Sequence, residues 1–435
     1  MKLALERRDL ISLAVGFTDN DTLPVEEVAR LTREILSKPK TARLALQYGS
    51  TIGLPQLRQE ILRRWRTQET ASQLYTFHQR SFAQSVSSDR GHIDEDDIVV
   101  TNGSQQLLYL VTEVLGDPGD IILVEDPTYF VYLGIVEAMG IRAVGFNSIS
   151  TLPSRLEDLK RRRLLPRLKL LYLVTYFQNP TGNTWSLEMK REALAIVKHY
   201  ELAAGHPIYI VEDAAYRDLR FEGDDVPSFK SLDPRNKRVI YSNTLTKPFS
   251  TGIRLGYGIV PPPLMQAVAR SKGNHDFGSS NFLQAILARA LAEGMYDRHL
   301  PAIANGYRRK RDAMIRELCK AGDVLGAASP PRFAGPGLGG DDAPTEVYET
   351  ERLRFTNPRG GMYIWLELPP HIRTGAKSRL FKRAFDAGVL YVPGEMCYCH
   401  DPSRLIPQNR IRLSFGAPTV PEIKEGIRLL ADALD

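Results

Sequence analysis

Cysteine is scarce in this chain: three among 435 residues, Cys319, Cys397 and Cys399. An odd, sparse set supplies no disulfide framework and is expected of a reducing compartment. His400 follows the Cys397/Cys399 pair, but no second Cys or His pair stands at zinc spacing, so no metal site is expected. No run of about 18 apolar residues occurs, which removes the pattern of a membrane-spanning helix. The first residues, MKLALERRDL, lack a long apolar core and a small-residue cleavage site. No signal peptide is therefore expected, and the expected location is the cytoplasm. An excess of one charge is lacking too, with 57 basic against 51 acidic residues and a formal net charge of +6. The densest basic run, Arg161 to Arg163, reads as a solvated helix face rather than a nucleic-acid patch. Internal repeats are absent, and no winged-helix or other DNA-binding pattern lies before residue 10.

What is present is ordinary for a globular protein: 43% hydrophobic and 25% charged residues, with length for two or three domain-sized units. Helical apolar spacing marks residues 24–37, 54–66, 187–200, 282–318, 377–387 and 420–434. Short apolar runs at 98–103, 120–129, 141–146, 169–182, 208–213, 238–243 and 255–260 read as strands. Their alternation with helices in the first two thirds of the chain predicts a mainly parallel sheet covered on both faces. Runs at 360–368, 389–394 and 410–416 predict a smaller α+β unit. Residues 67–92 are polar without a strong period and read as a surface insertion; 323–351, rich in Gly, Pro, Ala and Asp, read as a mobile loop.

The chemistry-bearing residues cluster where the apolar runs end, as expected for ligand binding by an open α/β sheet. Asp213 closes IYIVED, and its neighbour Glu212 should point to the other face. Lys247 follows a hydroxyl-rich stretch containing Thr244 and Thr246, and Arg254 stands seven positions later. An acid, an amine and a guanidinium in this order suit pyridoxal phosphate, meeting its ring nitrogen, its aldehyde and its phosphate. Each also has an ordinary explanation. Asp213 could cap a helix, and Lys247 and Arg254 could be surface cations. Asn179 in QNPTG could be a turn residue or a ligand of the cofactor's 3-oxygen. Tyr216 could donate to the same oxygen, and Tyr129 could stack on the ring; both could be core. Gly103, Ser104 and Gln105 open a helix whose free N–H groups favour a phosphate. Arg412, in the apolar strand RIRLSF with Arg410 on the same face, needs an anion: a structural carboxylate or a substrate's α-carboxylate. Aromatic residues such as Tyr129, Tyr363 and Trp365 near the mouth hint at a large substrate side chain.

The ordered strings QNPTG, VEDAAY, SNTLTK with GIRLGY, and RIRLSF resemble fold-type I, class I/II pyridoxal-phosphate aminotransferases. The resemblance covers nearly the whole chain. TNGSQQ, VEDPTYF, FQNPTG, PRGGMYIW and VPGEMCY make it most similar to the kynurenine/α-aminoadipate type and to the aminotransferase-like domain of winged-helix regulators. It implies a large domain at 48–293 with a seven-stranded sheet, and a small α+β domain formed by 1–47 and 294–435. Lys247 matches the Schiff-base lysine and general base, and Asp213 matches the partner of the ring nitrogen. Asn179 and Tyr216 match the 3-oxygen ligands, and Tyr129 the stacking ring. Gly103, Ser104, Gln105, Thr244, Thr246 and Arg254 match the phosphate cup. Arg412 matches the α-carboxylate clamp, and Gly16 the segment lining the substrate. Tyr48 matches a tyrosine that reaches the phosphate of a neighbouring subunit, so a homodimer with shared sites is implied. Threonines at 244 and 246 depart from the family's usual serines but keep the hydroxyl.

The implied activity is transfer of an amino group from an L-amino acid, aromatic, branched or aminoadipate-like, to a 2-oxo acid such as 2-oxoglutarate. The same cofactor site supports β-elimination or decarboxylation, and a non-catalytic sensor is the third possibility.

Overall fold

The computed structural model describes residues 7, 9–78, 93–322, 332–333, 345–350, 352–401 and 404–434. Its larger sheet has seven strands: β1 (Ile98–Thr101), β2 (Ile121–Glu125), β3 (Arg142–Phe146), β4 (Leu168–Val174), β5 (Tyr209–Asp213), β6 (Val239–Thr244) and β7 (Gly256–Ile259). They lie in the order β1-β7-β6-β5-β4-β2-β3. Only β7 runs antiparallel to its neighbours, β1 and β6; β2 to β6 pair in parallel.

Both faces of this sheet are buried, and period 2 divides each strand between two cores. β4 sends Leu170, Tyr172 and Val174 into one apolar cluster and Leu171 and Leu173 into the other. Helices Leu152–Arg161 and Leu187–Ala204 cover the second face through Leu156, Leu159, Ala193 and Val197. The parallel direction brings the carboxyl ends of β4, β5 and β6 to one edge, with Val174 opposite Asp213 and Asp213 opposite Ser242.

The smaller sheet is antiparallel, in the order Val392–Pro393, Arg410–Ser414, Tyr363–Glu367, Arg354–Asn357, Glu346–Glu349, Arg332–Phe333. The N-terminal segment is tied to it. Ile11–Ser12 pairs in parallel with Val389–Leu390, and the Ser414 N–H donates to the Leu13 carbonyl at 2.7 Å. This lays residues 13–17 across the side of the strand that carries Arg412.

Three expectations need correction. The helix expected over 54–66 runs from Pro55 to His78. Its continuation is not a surface insertion, because Glu69 and Ser72 are buried and Glu69 pairs with the buried Arg217. The low periodicity reflects charges turned inward toward a partner far away in sequence. Within the expected loop 323–351, Glu346–Glu349 is a paired strand; residues 79–92, 323–331, 334–344 and 351 lie outside the described residues. Trp365 is not at the mouth: it is fully buried and packs with Val347, Cys397 and Tyr398. Of the basic run at 161–163, Arg161 closes a helix and Arg162 follows it, both exposed and facing Asp158. Among the described residues no helix is long and apolar enough to cross a membrane.

Candidate active site

Asp213 ends β5 at the carboxyl edge of the sheet. Its Oδ2 accepts the Tyr172 hydroxyl at 2.9 Å and its Oδ1 the Ala215 N–H at 3.1 Å. Burial pushes its pKa up to about 6, against the pull of those two donors. Glu212 faces the opposite side, as strand alternation requires. It accepts Lys190 Nζ at 3.0 Å and the Thr175 hydroxyl at 2.9 Å.

Lys247 hangs from the loop after β6. That loop is wound around one carbonyl: the Leu245 N–H and the hydroxyls of Thr244 and Thr246 all donate to Leu255 O, at 3.0, 3.4 and 3.3 Å. Lys247 Nζ donates to the Gly16 carbonyl. Loss of water around the amine lowers its pKa; Tyr363 opposes this, and the nearby Arg254 and Arg412 add to it. A lysine with a lowered pKa is more readily a neutral nucleophile and base.

Gly103 takes φ +74° and introduces the helix Ser104–Leu115 without a side-chain cap. Gly256 of β7 lies directly against this turn. A Cβ there would stand 2.5 Å from the Ser104 nitrogen and 2.6 Å from the Gly103 carbonyl carbon, so only glycine permits the approach. Arg254, at φ +56°, brings its guanidinium beside Gly103. It makes no hydrogen bond or ion pair with the described residues. An uncapped helix N-terminus beside an unpaired guanidinium is a site for a dianion.

Asn179, in the turn after β4, links both halves of the site. Its Oδ1 accepts Arg412 Nη1 at 2.9 Å, and its Nδ2 lies 3.4 Å from the Tyr216 hydroxyl. Arg412 Nη2 donates to Ala14 O at 2.6 Å. Its guanidinium lies 5.2 Å from the Phe130 ring centroid and 4.2 Å from that of Tyr363. Only 3% of Arg412 is exposed, its Nε has no partner, and no carboxylate of the described residues pairs with it. The structural-ion-pair alternative belongs instead to Arg410, which lies 3.4 Å from Glu367 and donates to the Tyr398 hydroxyl at 2.7 Å. A buried, half-satisfied guanidinium calls for an anion from outside.

One cleft collects most of the expected residues. Gly103, Ser104, Gln105, Thr244, Thr246 and Arg254 line it together with Tyr129, Asn179, Asp213, Tyr216 and Lys247. Gly16 reaches it through its contact with Lys247, and Arg412 through Asn179. Tyr48 is not among them. It is 87% exposed and packs near Phe277, with ring centroids 6.3 Å apart. Sequence reasoning missed Tyr172, which holds Asp213, and the Tyr363 hydroxyl, 3.4 Å from that of Tyr216. Alternation along LKLLYLV puts Tyr172 and Val174 on one face, but the register with Asp213 is not in the string.

The residues present fit pyridoxal phosphate. A buried carboxyl with a raised pKa suits a ring N–H cation, the amine of Lys247 lines the same cleft, and the uncapped helix with Arg254 suits the phosphate.

The aminotransferase class I and II family model matches residues 8–430. The chain is 31% identical to aromatic-amino-acid aminotransferase 1 of Thermococcus litoralis, over 99% of this chain and 89% of that one. A crystal structure of a multiple substrate aminotransferase from Thermococcus profundus superposes with TM-score 0.79 at 30% identity, covering 99% of this chain and 92% of that one. The kynurenine aminotransferase of Pyrococcus horikoshii, solved with pyridoxamine phosphate, gives TM-score 0.78 at 29% identity with the same coverage. The chain belongs to the class I and II aminotransferases, pyridoxal-phosphate-dependent enzymes of fold type I.

Proposed function

We propose that this aminotransferase takes the amino group from an L-amino acid with a large apolar or aromatic side chain and passes it to a 2-oxo acid such as 2-oxoglutarate. The observation that carries the reading is Arg412: a buried guanidinium with a free Nε, flanked by the rings of Phe130 and Tyr363 and joined through Asn179 to the cleft of Lys247 and Asp213. Arg412 would grip the donor's α-carboxylate, leaving the side chain among aromatic rings.

The bound cofactor supplies an electron sink for the pair released at the substrate's Cα. The protein's own groups do the rest. Burial favours the neutral amine of Lys247, which would take the proton from the substrate's Cα and hold it. Asp213 holds the ring N–H, a cation that offsets the carboxylate's own desolvation. Asn179 and Tyr216 bind the 3-oxygen, and Tyr129 covers the ring. The backbone of Gly103, Ser104 and Gln105 and the Arg254 guanidinium would take the phosphate, with the hydroxyls of Thr244 and Thr246 turning from Leu255 O to join them. Gly16 closes the cleft over Lys247.

A second copy of the chain would cover the exposed Leu44, Leu46, Tyr48 and Phe277 and so bring Tyr48 to its partner's phosphate. The larger-sheet unit is assigned to 48–293 and the smaller to 1–47 with 294–435. A cytoplasmic location agrees with the three free cysteines.

A donor screen tests the reading. The purified protein is given pyridoxal phosphate, 2-oxoglutarate or pyruvate, and each L-amino acid in turn. Phenylalanine, tyrosine, kynurenine or leucine should give the highest kcat/KM. Preference for aspartate or alanine contradicts the assigned donor class, and ammonia released without an acceptor contradicts transamination.

A further inference from the structure

Tyr363 is 3% exposed and begins the strand Tyr363–Glu367, beside the strand that carries Arg412. Its side chain touches three parts of the site at once. The ring face lies 4.2 Å from the Arg412 guanidinium carbon. The ring meets Tyr216 edge to face, with centroids 5.7 Å apart at 80°. The hydroxyl lies 3.4 Å from the Tyr216 hydroxyl and abuts Gly16, where an added Cβ would also come within 3.6 Å of Lys247 Nζ.

Packing and the cation–π contact account for an aromatic ring here, and phenylalanine would satisfy both. The hydroxyl needs its own reason, because a buried phenol normally finds a partner. The partner in reach is another phenol, Tyr216, whose oxygen already faces Asn179 Nδ2 at 3.4 Å. With Tyr363 as the donor, that oxygen accepts from two groups and the Tyr216 proton is left to point into the cleft.

We propose that Tyr363 is a positioning residue: its O–H donates to the Tyr216 oxygen, directing and strengthening the Tyr216 O–H toward the cofactor's 3-oxygen, while its ring braces Arg412. The inference rests on the roles assigned above to Tyr216, Lys247 and Arg412. Hydrogen bonds in series polarise one another, so the upstream phenol makes Tyr216 the better donor. A better-held 3-oxygen keeps its negative charge and gives up its hold on the neighbouring proton at lower pH. Removing the Tyr363 hydroxyl therefore moves the titration of the bound chromophore upward.

The test compares wild-type holoenzyme with Tyr363→Phe and Tyr363→Leu. The visible absorbance of the bound cofactor is titrated with pH, and KM and kcat are measured with one good donor. In Tyr363→Phe the spectral midpoint should rise by about half a unit to one unit. Its kcat should fall about three- to tenfold, with KM unchanged, since the ring still faces Arg412. Tyr363→Leu should show the same spectral shift and, in addition, a severalfold higher KM. A Tyr363→Phe midpoint equal to wild type overturns the proposal, as does an equal rise in KM in both variants. Wild-type protein without any pH-dependent visible band overturns the assigned roles of Lys247 and Tyr216, and this proposal with them. The thermal midpoint of Tyr363→Phe should match wild type, so that the shift reports on the site rather than on folding.

Discussion

Arg412, on the smaller sheet, donates from Nη1 to Oδ1 of Asn179, in the turn after the larger sheet's fourth strand, at 2.9 Å. One hydrogen bond thus joins the group assigned to the substrate carboxylate with the group assigned to the cofactor's 3-oxygen. Arg412→Lys keeps the charge but loses the planar fork. It should raise KM for the amino acid about 10- to 100-fold, the loss of one charge-assisted contact, while kcat falls less. Steady-state kinetics with the best donor measures the split.

Asp213 gives a pH prediction for the cofactor-free protein. Its folded pKa, raised from 3.8 to about 6, exceeds the unfolded value. Below the unfolded value both states hold the proton and nothing is lost. As pH rises from 3.8 to about 6 the unfolded state sheds its proton first, and stability falls. Above that window a penalty of about 3 kcal/mol remains. Asp213→Asn should raise the thermal midpoint of apoprotein at neutral pH and leave it unchanged near the acid end. Adding pyridoxal phosphate should stabilise wild type more than Asp213→Asn, because the ring cation relieves the buried charge. Differential scanning calorimetry across pH, with and without cofactor, checks both signs.

Arg254 reports on the phosphate. Its guanidinium has no partner among the described residues and lies beside Gly103 at the uncapped helix start. Arg254→Gln should weaken pyridoxal phosphate binding about 10- to 100-fold and change the thermal midpoint of the apoprotein little. An absorbance titration gives the dissociation constant, and comparison with pyridoxal, which has no phosphate, should show the penalty confined to the phosphorylated cofactor.

Behind the site, Glu212 and Lys190 are fully buried and 3.0 Å apart. Glu212→Gln leaves the ammonium without its anion and should cost about 3–5 kcal/mol. A large fall in the thermal midpoint is expected, and the double variant Glu212→Gln with Lys190→Met should recover part of it.

The strands of the larger sheet were legible because each is a short apolar run bounded by turns, and Asp213, Lys247 and Asn179 were legible because they stand where such runs stop. What the string could not give is pairing across distance. Tyr172 holds Asp213 only through the register of two parallel strands. Glu69 reads as a surface residue until Arg217 is placed against it. Arg410 and Arg412 share a face and a motif, yet one finds Glu367 and the other no carboxylate, a difference set by the neighbouring strand and the N-terminal segment. Trp365 follows Tyr363 by two on one strand, yet it is covered in the cluster with Tyr398.

The central claim is that Lys247 is the amine that holds the cofactor. Purified protein is mixed with pyridoxal phosphate, reduced with borohydride, digested and analysed by mass spectrometry. The account predicts a visible band that reduction bleaches and a phosphopyridoxyl group on the peptide containing Lys247, with Lys247→Ala unlabelled and inactive. A label on another lysine, or full labelling and turnover in Lys247→Ala, would contradict it.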